Sequence, residues 1–134
     1  MFTHVRMAHL LSFVHTVLSG TPKILELRSQ HDPRLLNPSH LATYDILLLS
    51  YETLRGDIYR DAAGDSPLTS LAFRRIILDE SQKIKNKNTN VSEMANKLRT
   101  HAKWCVTGTP AVGNSIENMH GLLQFLFPEL DKPM

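Results

Sequence analysis

The sequence predicts an α/β fold in which a parallel sheet is flanked by helices, and three observations carry that expectation. Three short, unbroken apolar runs, Ile46-Leu47-Leu48-Leu49, Ile76-Ile77-Leu78 and Trp104-Cys105-Val106, have the pattern of strands buried on both faces. Between them lie segments whose apolar residues recur at helical spacing, and strands alternating with helices build parallel sheets. The 134 residues are 42% hydrophobic and 21% charged, which is enough apolar material for one core and argues against disorder.

Met7, Leu10, Leu11, Val14, Val17 and Leu18 mark an amphipathic helix over roughly residues 5–18, stopped by Gly20 and Pro22. Lys23 to Leu27 alternates weakly and reads as a short strand, and residues 29–37, with His31-Asp32-Pro33, read as loop. Asn37-Pro38 is an N-cap followed by proline at the first helical position, opening a short helix to about Thr43. After the Ile46–Leu49 strand, Tyr51 to about Tyr59 is helical. Residues 61–70, with Gly64, Asp65, Ser66 and Pro67, form a solvated loop. Ile76-Ile77-Leu78 runs straight into Asp79-Glu80, and Val91, Met94, Ala95 and Leu98 then mark a helix to about Arg99. Trp104-Cys105-Val106 ends in Thr107-Gly108-Thr109-Pro110, with Trp104 and Cys105 expected in the core. A last helix, about Ser115 to Phe125, buries Ile116, Met119, Leu122, Leu123 and Leu126 before Pro128 ends it.

Composition excludes several functions. Fifteen basic and thirteen acidic side chains leave a net charge of +2, too little to point to nucleic acid without clustering. The cluster Lys83, Lys85 and Lys87 reads first as a solvated face, with phosphate contact as the alternative. Cys105 is the only cysteine, so an intrachain disulfide is impossible and a reducing, intracellular setting is expected. The seven histidines form no ligand spacing for zinc. No apolar run reaches membrane-span length, and Met1 to Arg6 leads into an amphipathic stretch rather than a signal sequence. Cytoplasm or nucleus remains, with no membrane partner.

In open α/β sheets ligands bind beyond the carboxyl ends of the strands. Two of the three runs end in polar residues suited to such a site, Asp79-Glu80 and Thr107-Gly108-Thr109. Paired carboxylates emerging from an apolar strand need charge compensation, which a magnesium ion with bound phosphates supplies. Asp79 would hold that metal through water, and Glu80 would orient or deprotonate an attacking water. The plainer alternative is that Asp79-Glu80 only begins a loop or caps the next turn. Thr107-Gly108-Thr109-Pro110 likewise has a plain reading as turn chemistry, the glycine permitting unusual backbone angles. The conjunction of both motifs with Gln82 and Trp104 favours the site.

Ile76 to Asn86 and Lys103 to Pro110, with Tyr44 to Arg55 upstream and Asn114 to Phe127 downstream, resemble the Swi/Snf-type branch of the superfamily-two helicase-like ATPases. Within it they are most similar to the DNA-repair translocases and SHPRH-like ubiquitin ligases. The resemblance covers about residues 40–130 of a partial helicase ATP-binding domain spanning 1–134. It implies the second half of a RecA-like P-loop NTPase lobe that uses ATP and Mg²⁺. Asp79 and Glu80 would be the metal and catalytic-water residues of a DExx motif, and Gln82 would couple nucleotide state to the motor. Thr107, Gly108 and Thr109 would relay between lobes. The implied partners are double-stranded DNA or chromatin and the remainder of the motor, in a nuclear protein of chromatin remodelling or DNA repair.

The sequence departs from the family pattern in places. Ser81 stands where alanine is usual, and Ala111-Val112-Gly113-Asn114 is one residue longer than the usual turn. No Gly-x-x-x-x-Gly-Lys-Ser/Thr pattern occurs in the chain, so the phosphate cradle is not among these residues. The alternative function is therefore a catalytically inactive remnant acting as a binding or scaffold element. No RING-type cysteine pattern supports ubiquitin-ligase chemistry here.

Overall fold

A computed structural model describes residues 21–29, 37–57, 66–108 and 119–131. The expected N-terminal helix, most of the first loop, residues 61–65, Thr109-Pro110, the 111–114 turn and Ile116 lie outside the described residues. In chain order the elements are β1 (Ile24–Leu27), α1 (Pro38–Leu41), β2 (Ile46–Leu49), α2 (Tyr51–Asp57) and β3 (Ala72–Asp79). A 3-10 turn (Ser81–Ile84), α3 (Asn90–Lys97), β4 (Arg99–Val106), α4 (His120–Leu126) and a last 3-10 turn (Pro128–Asp131) follow.

The strands are parallel, as strand–helix alternation requires. β1 pairs with β2, Ile24 opposite Ile46, and β3 pairs with β4, Ala72 opposite Arg99 and Asp79 opposite Val106. Among the described residues the ladder is divided into two two-stranded sheets, with no pairing between β2 and β3. One core nevertheless runs through both. Leu25, Leu27, Leu41 and Leu54 from the first half join Leu68, Leu78, Ile84, Met94, Ala95, Leu122 and Phe125 from the second.

Local chemistry starts the helices. Asn37 Oδ1 accepts the His40 amide at 3.1 Å while Pro38 occupies the first helical position, so α1 begins where the sequence places it. Ser50 Oγ accepts the Thr53 amide at 3.1 Å at the head of α2. Thr89 Oγ1 accepts the Ser92 amide at 3.3 Å to cap α3. Ser92, Met94 and Ala95 are the buried residues of that helix.

β3 and β4 begin well before their apolar runs, at Ala72 and Arg99, because Arg74, Arg75, Arg99 and His101 are exposed strand residues. Burial also corrects an expectation. Ile77, Trp104 and Val106 are 61%, 58% and 49% exposed, whereas Leu78 is buried and Cys105 half-buried. Successive strand side chains alternate between faces, so Leu78 and Cys105, paired in register, point to the core while Ile77 and Trp104, also paired, point away. Trp104 is therefore not a core residue among the described residues; Cys105 packs against the core. The β2 residues are all half-buried rather than enclosed on both faces.

Helix α4 seats against the 3-10 turn that follows β3. The Gly121 amide donates to the Lys85 carbonyl at 3.0 Å, and a Cβ at Gly121 would lie 1.9 Å from the Ile84 carbonyl oxygen. Only glycine permits this approach, and it fixes α4 beside the acidic turn.

Candidate nucleotide site at the carboxyl ends of β3 and β4

Because Asp79 is opposite Val106, the two parallel strands finish side by side and deliver Glu80 and Thr107 to the same end of the sheet. Glu80 then takes φ 52° and ψ 46°, the left-handed region, alone among the described non-glycine residues. That conformation costs about 1–2 kcal/mol for an ordinary side chain and persists only where neighbours hold it.

Several groups hold it. Asp79 Oδ1 accepts the Glu80 amide at 3.0 Å, and the Tyr51 hydroxyl donates to the Asp79 carbonyl at 2.8 Å. The Glu80 carbonyl accepts the Lys83 amide at 3.0 Å, closing the turn. Gln82 Nε2 donates to Glu80 Oε2 at 2.5 Å, and Gln82 Oε1 accepts the Thr107 hydroxyl at 2.6 Å. Only one orientation of the amide satisfies both bonds, since the ionised carboxylate can only accept and the amide oxygen cannot donate. Glu80, Gln82 and Thr107 thus form a continuous hydrogen-bonded chain across the strand ends.

The surroundings are drier beneath this chain than above it. Ser81 is fully buried, its hydroxyl facing the Cys105 thiol without a conventional hydrogen bond among the described residues. Burial pushes the Cys105 thiol up, outweighing the opposing effects of Ser81 and Lys103. The Tyr51 phenol is pushed well above its ordinary value, chiefly by burial and then by the charges of Cys105 and Asp79. Asp79 itself is exposed, as are Lys83, Lys85 and Lys87, in keeping with the solvated-face reading of the lysines.

The structure thus brings together Asp79, Glu80, Gln82 and Thr107. Gly108 follows them but is exposed; its backbone is not left-handed, and a Cβ there would meet open space. The plain turn reading of Thr107-Gly108, in which glycine permits unusual backbone angles, is not supported at Gly108, whose backbone lies outside the left-handed region. Thr109 lies outside them. Tyr51 and Gly121 were not legible as site residues. The signals available were a tyrosine immediately after a buried-strand pattern and a glycine interrupting a helical one.

Among the described residues there is no group of three or more His, Cys, Asp or Glu side chains that could cage a metal. Magnesium needs none: it keeps several waters and takes one or two carboxylates together with substrate phosphates. An exposed Asp79 engaged through Oδ1 fits that requirement. No described helix is long and apolar enough to cross a membrane.

The SNF2-related domain matches residues 10–132. The chain belongs to the SNF2-related family. Over 93 residues it is 38% identical to the human helicase-like transcription factor, covering 69% of this chain and 9% of that protein. It is 30% identical over 129 residues to the human E3 ubiquitin-protein ligase SHPRH, covering 82% and 8% respectively. It is 34% identical over 105 residues to the DNA repair protein RAD5 of Candida albicans, covering 72% and 9%. This SNF2-related chain therefore spans less than a tenth of the length of those relatives. The Sulfolobus solfataricus SWI2/SNF2 ATPase core, solved with double-stranded DNA, superposes with a TM-score of 0.64. That match covers 89% of this chain and 22% of the other at 24% identity, and it shows the fold. The chain is thus part of an SNF2-related domain family whose relatives include proteins named for helicase-like character and for DNA repair.

Proposed function

We propose that this segment carries the hydrolytic strand end of a DNA-dependent, Swi/Snf-type ATPase that acts in the nucleus on double-stranded DNA or chromatin. The observation that carries the reading is the Glu80–Gln82–Thr107 hydrogen-bond chain. It ties the carboxylate suited to activating water to the end of the neighbouring strand, where Thr107, Gly108 and Thr109 would relay to a second lobe.

Asp79 would hold Mg²⁺ through water, and the ion would supply charge compensation for the phosphates of ATP. Glu80, aimed by Gln82, would orient the attacking water and accept its proton. Gln82 bonds both the carboxylate and Thr107, so a shift at the end of β4 alters the direction of Glu80. That is how such a site would feel the state of the rest of the motor.

A second reading is a non-catalytic binding or scaffold element. The Gly-x-x-x-x-Gly-Lys-Ser/Thr pattern is not among these 134 residues, so the segment by itself holds only part of a phosphate site. Phosphoryl transfer depends on positioning and charge stabilisation that two carboxylates cannot supply by themselves. The isolated chain is accordingly expected to show no DNA-stimulated ATP hydrolysis.

A graft separates the readings. Residues 40–130 replace the aligned segment of the Sulfolobus ATPase core, and DNA-stimulated turnover is measured for the graft and for its Glu80→Gln form. The catalytic reading expects turnover that falls about 100-fold or more with Glu80→Gln while ATP binding persists. A folded graft in which the two forms turn over equally would sink it.

A further inference from the structure

We propose that Tyr51 is a positioning residue whose hydroxyl latches the Asp79–Glu80 peptide and so fixes the direction of the Glu80 carboxylate. The inference rests on the reading of Glu80 given above, and it assigns a role to a residue that no part of that reading uses.

The Asp79 carbonyl and the Glu80 amide are the two ends of one peptide plane. Tyr51 Oη holds the carbonyl at 2.8 Å, and Asp79 Oδ1 holds the amide at 3.0 Å. Rotating that plane, the motion that would release Glu80 from its left-handed conformation, breaks both bonds at once. The Asp79 carboxylate is local to the plane. Tyr51 is not: it lies 28 residues upstream, as the first residue of α2 directly after β2.

Among the described residues β2 and β3 share no ladder, and the phenol bridges the two sheets at this end. It therefore does what a strand-to-strand hydrogen bond cannot do here, tying the acidic turn to the β1–β2 half of the molecule. Downstream of the latch, Gln82 Nε2 reads the position of Glu80 Oε2 at 2.5 Å. A change in the peptide plane is therefore reported at the Gln82 side-chain amide.

The test is nuclear magnetic resonance on the full chain, comparing Tyr51 with Tyr51→Phe. Phenylalanine keeps the ring and removes only the donor. The Gln82 side-chain amide resonances are expected to move toward those of a free glutamine. Exchange of the Glu80 amide should accelerate about fivefold, the loss associated with one neutral hydrogen bond of about 1 kcal/mol. Amides in the middle of β3 should be unchanged.

A role in packing alone leaves Gln82 and Glu80 unmoved in Tyr51→Phe, and that result overturns the proposal. Should Tyr51→Phe fail to fold, the unsubstituted chain decides through the Tyr51 hydroxyl proton, whose exchange with water should be slowed by its bond to the Asp79 carbonyl; a freely exchanging hydroxyl also overturns the proposal. None of these readouts requires nucleotide. An inactive graft therefore leaves the latch standing, and an unlatched turn leaves the family's chemistry untouched.

Discussion

The two faces of the β3–β4 sheet are built from the same kind of sequence and meet opposite environments. On one, Leu78 and Cys105 pack against the core, α4 lies against β4, Phe125 is fully buried, and the Lys103 amine sits 4.8 Å from the centre of the Phe125 ring. On the other, Ile77, Trp104 and Val106 present large apolar side chains to solvent. Apolar residues alternate with apolar residues, so nothing local distinguishes the faces. The difference is made by Gly121 and the 3-10 turn, which bring a helix to one side only among the described residues. Burial of this sheet is a property of what is delivered to it, not of the strands.

The largest expected effect tests that asymmetry directly. Phe125→Ala should cost about 3–5 kcal/mol in urea unfolding, the usual loss for a buried aromatic. Trp104→Ala, on the opposite face, should stay within about 0.5 kcal/mol, as for a surface change. Equal costs would break the comparison.

A second pair sets the two glycines against each other. Gly121→Ala places a Cβ against backbone that cannot swing aside and should cost about 1–3 kcal/mol. Gly108→Ala meets open space and should change stability by less than about 0.5 kcal/mol. A tolerant Gly121 would mean that α4 is not anchored through its close approach to Ile84.

The smallest effect is alkaline. The folded Tyr51 phenol titrates above its ordinary value of 10.0, mainly through burial, so the unfolded chain releases that proton first. Its contribution is thus complete below about pH 10 and is lost as pH rises beyond it. Cys105, raised from 9.0 by burial, acts with the same sign, whereas Lys103, lowered from 10.5 by burial, opposes them over the range up to its ordinary value. Tm measured from pH 8 to pH 11 should fall less steeply in Tyr51→Phe than in the unsubstituted chain; parallel curves would remove Tyr51 from this account.

Much of the fold was legible because its signals are local. The Asn37-Pro38 start, the Ile46–Leu49 strand and the convergence of Asp79, Glu80 and Gln82 with Thr107 all follow from residue type and order. The fold class is the expected one. The beginnings of β3 and β4 were hidden because Arg74, Arg75, Arg99 and His101 interrupt the apolar pattern at exposed strand positions. Trp104 was misplaced because an apolar run shows that a strand can be buried, and burial depends on partners far along the chain. The left-handed Glu80 was invisible, since its backbone is held by a tyrosine 28 positions away. Gly108 and Gly121 exchanged importance for a related reason: a glycine's necessity lies in the atoms its missing Cβ would strike.

The chain has one tryptophan, and among the described residues it stands on the exposed face of the β3–β4 sheet, paired with Ile77. The molecule therefore carries its own optical gauge. Indole emission shifts to shorter wavelength and loses access to aqueous quenchers whenever something settles on that face. A ligand or chain that docked there would be seen in unlabelled protein.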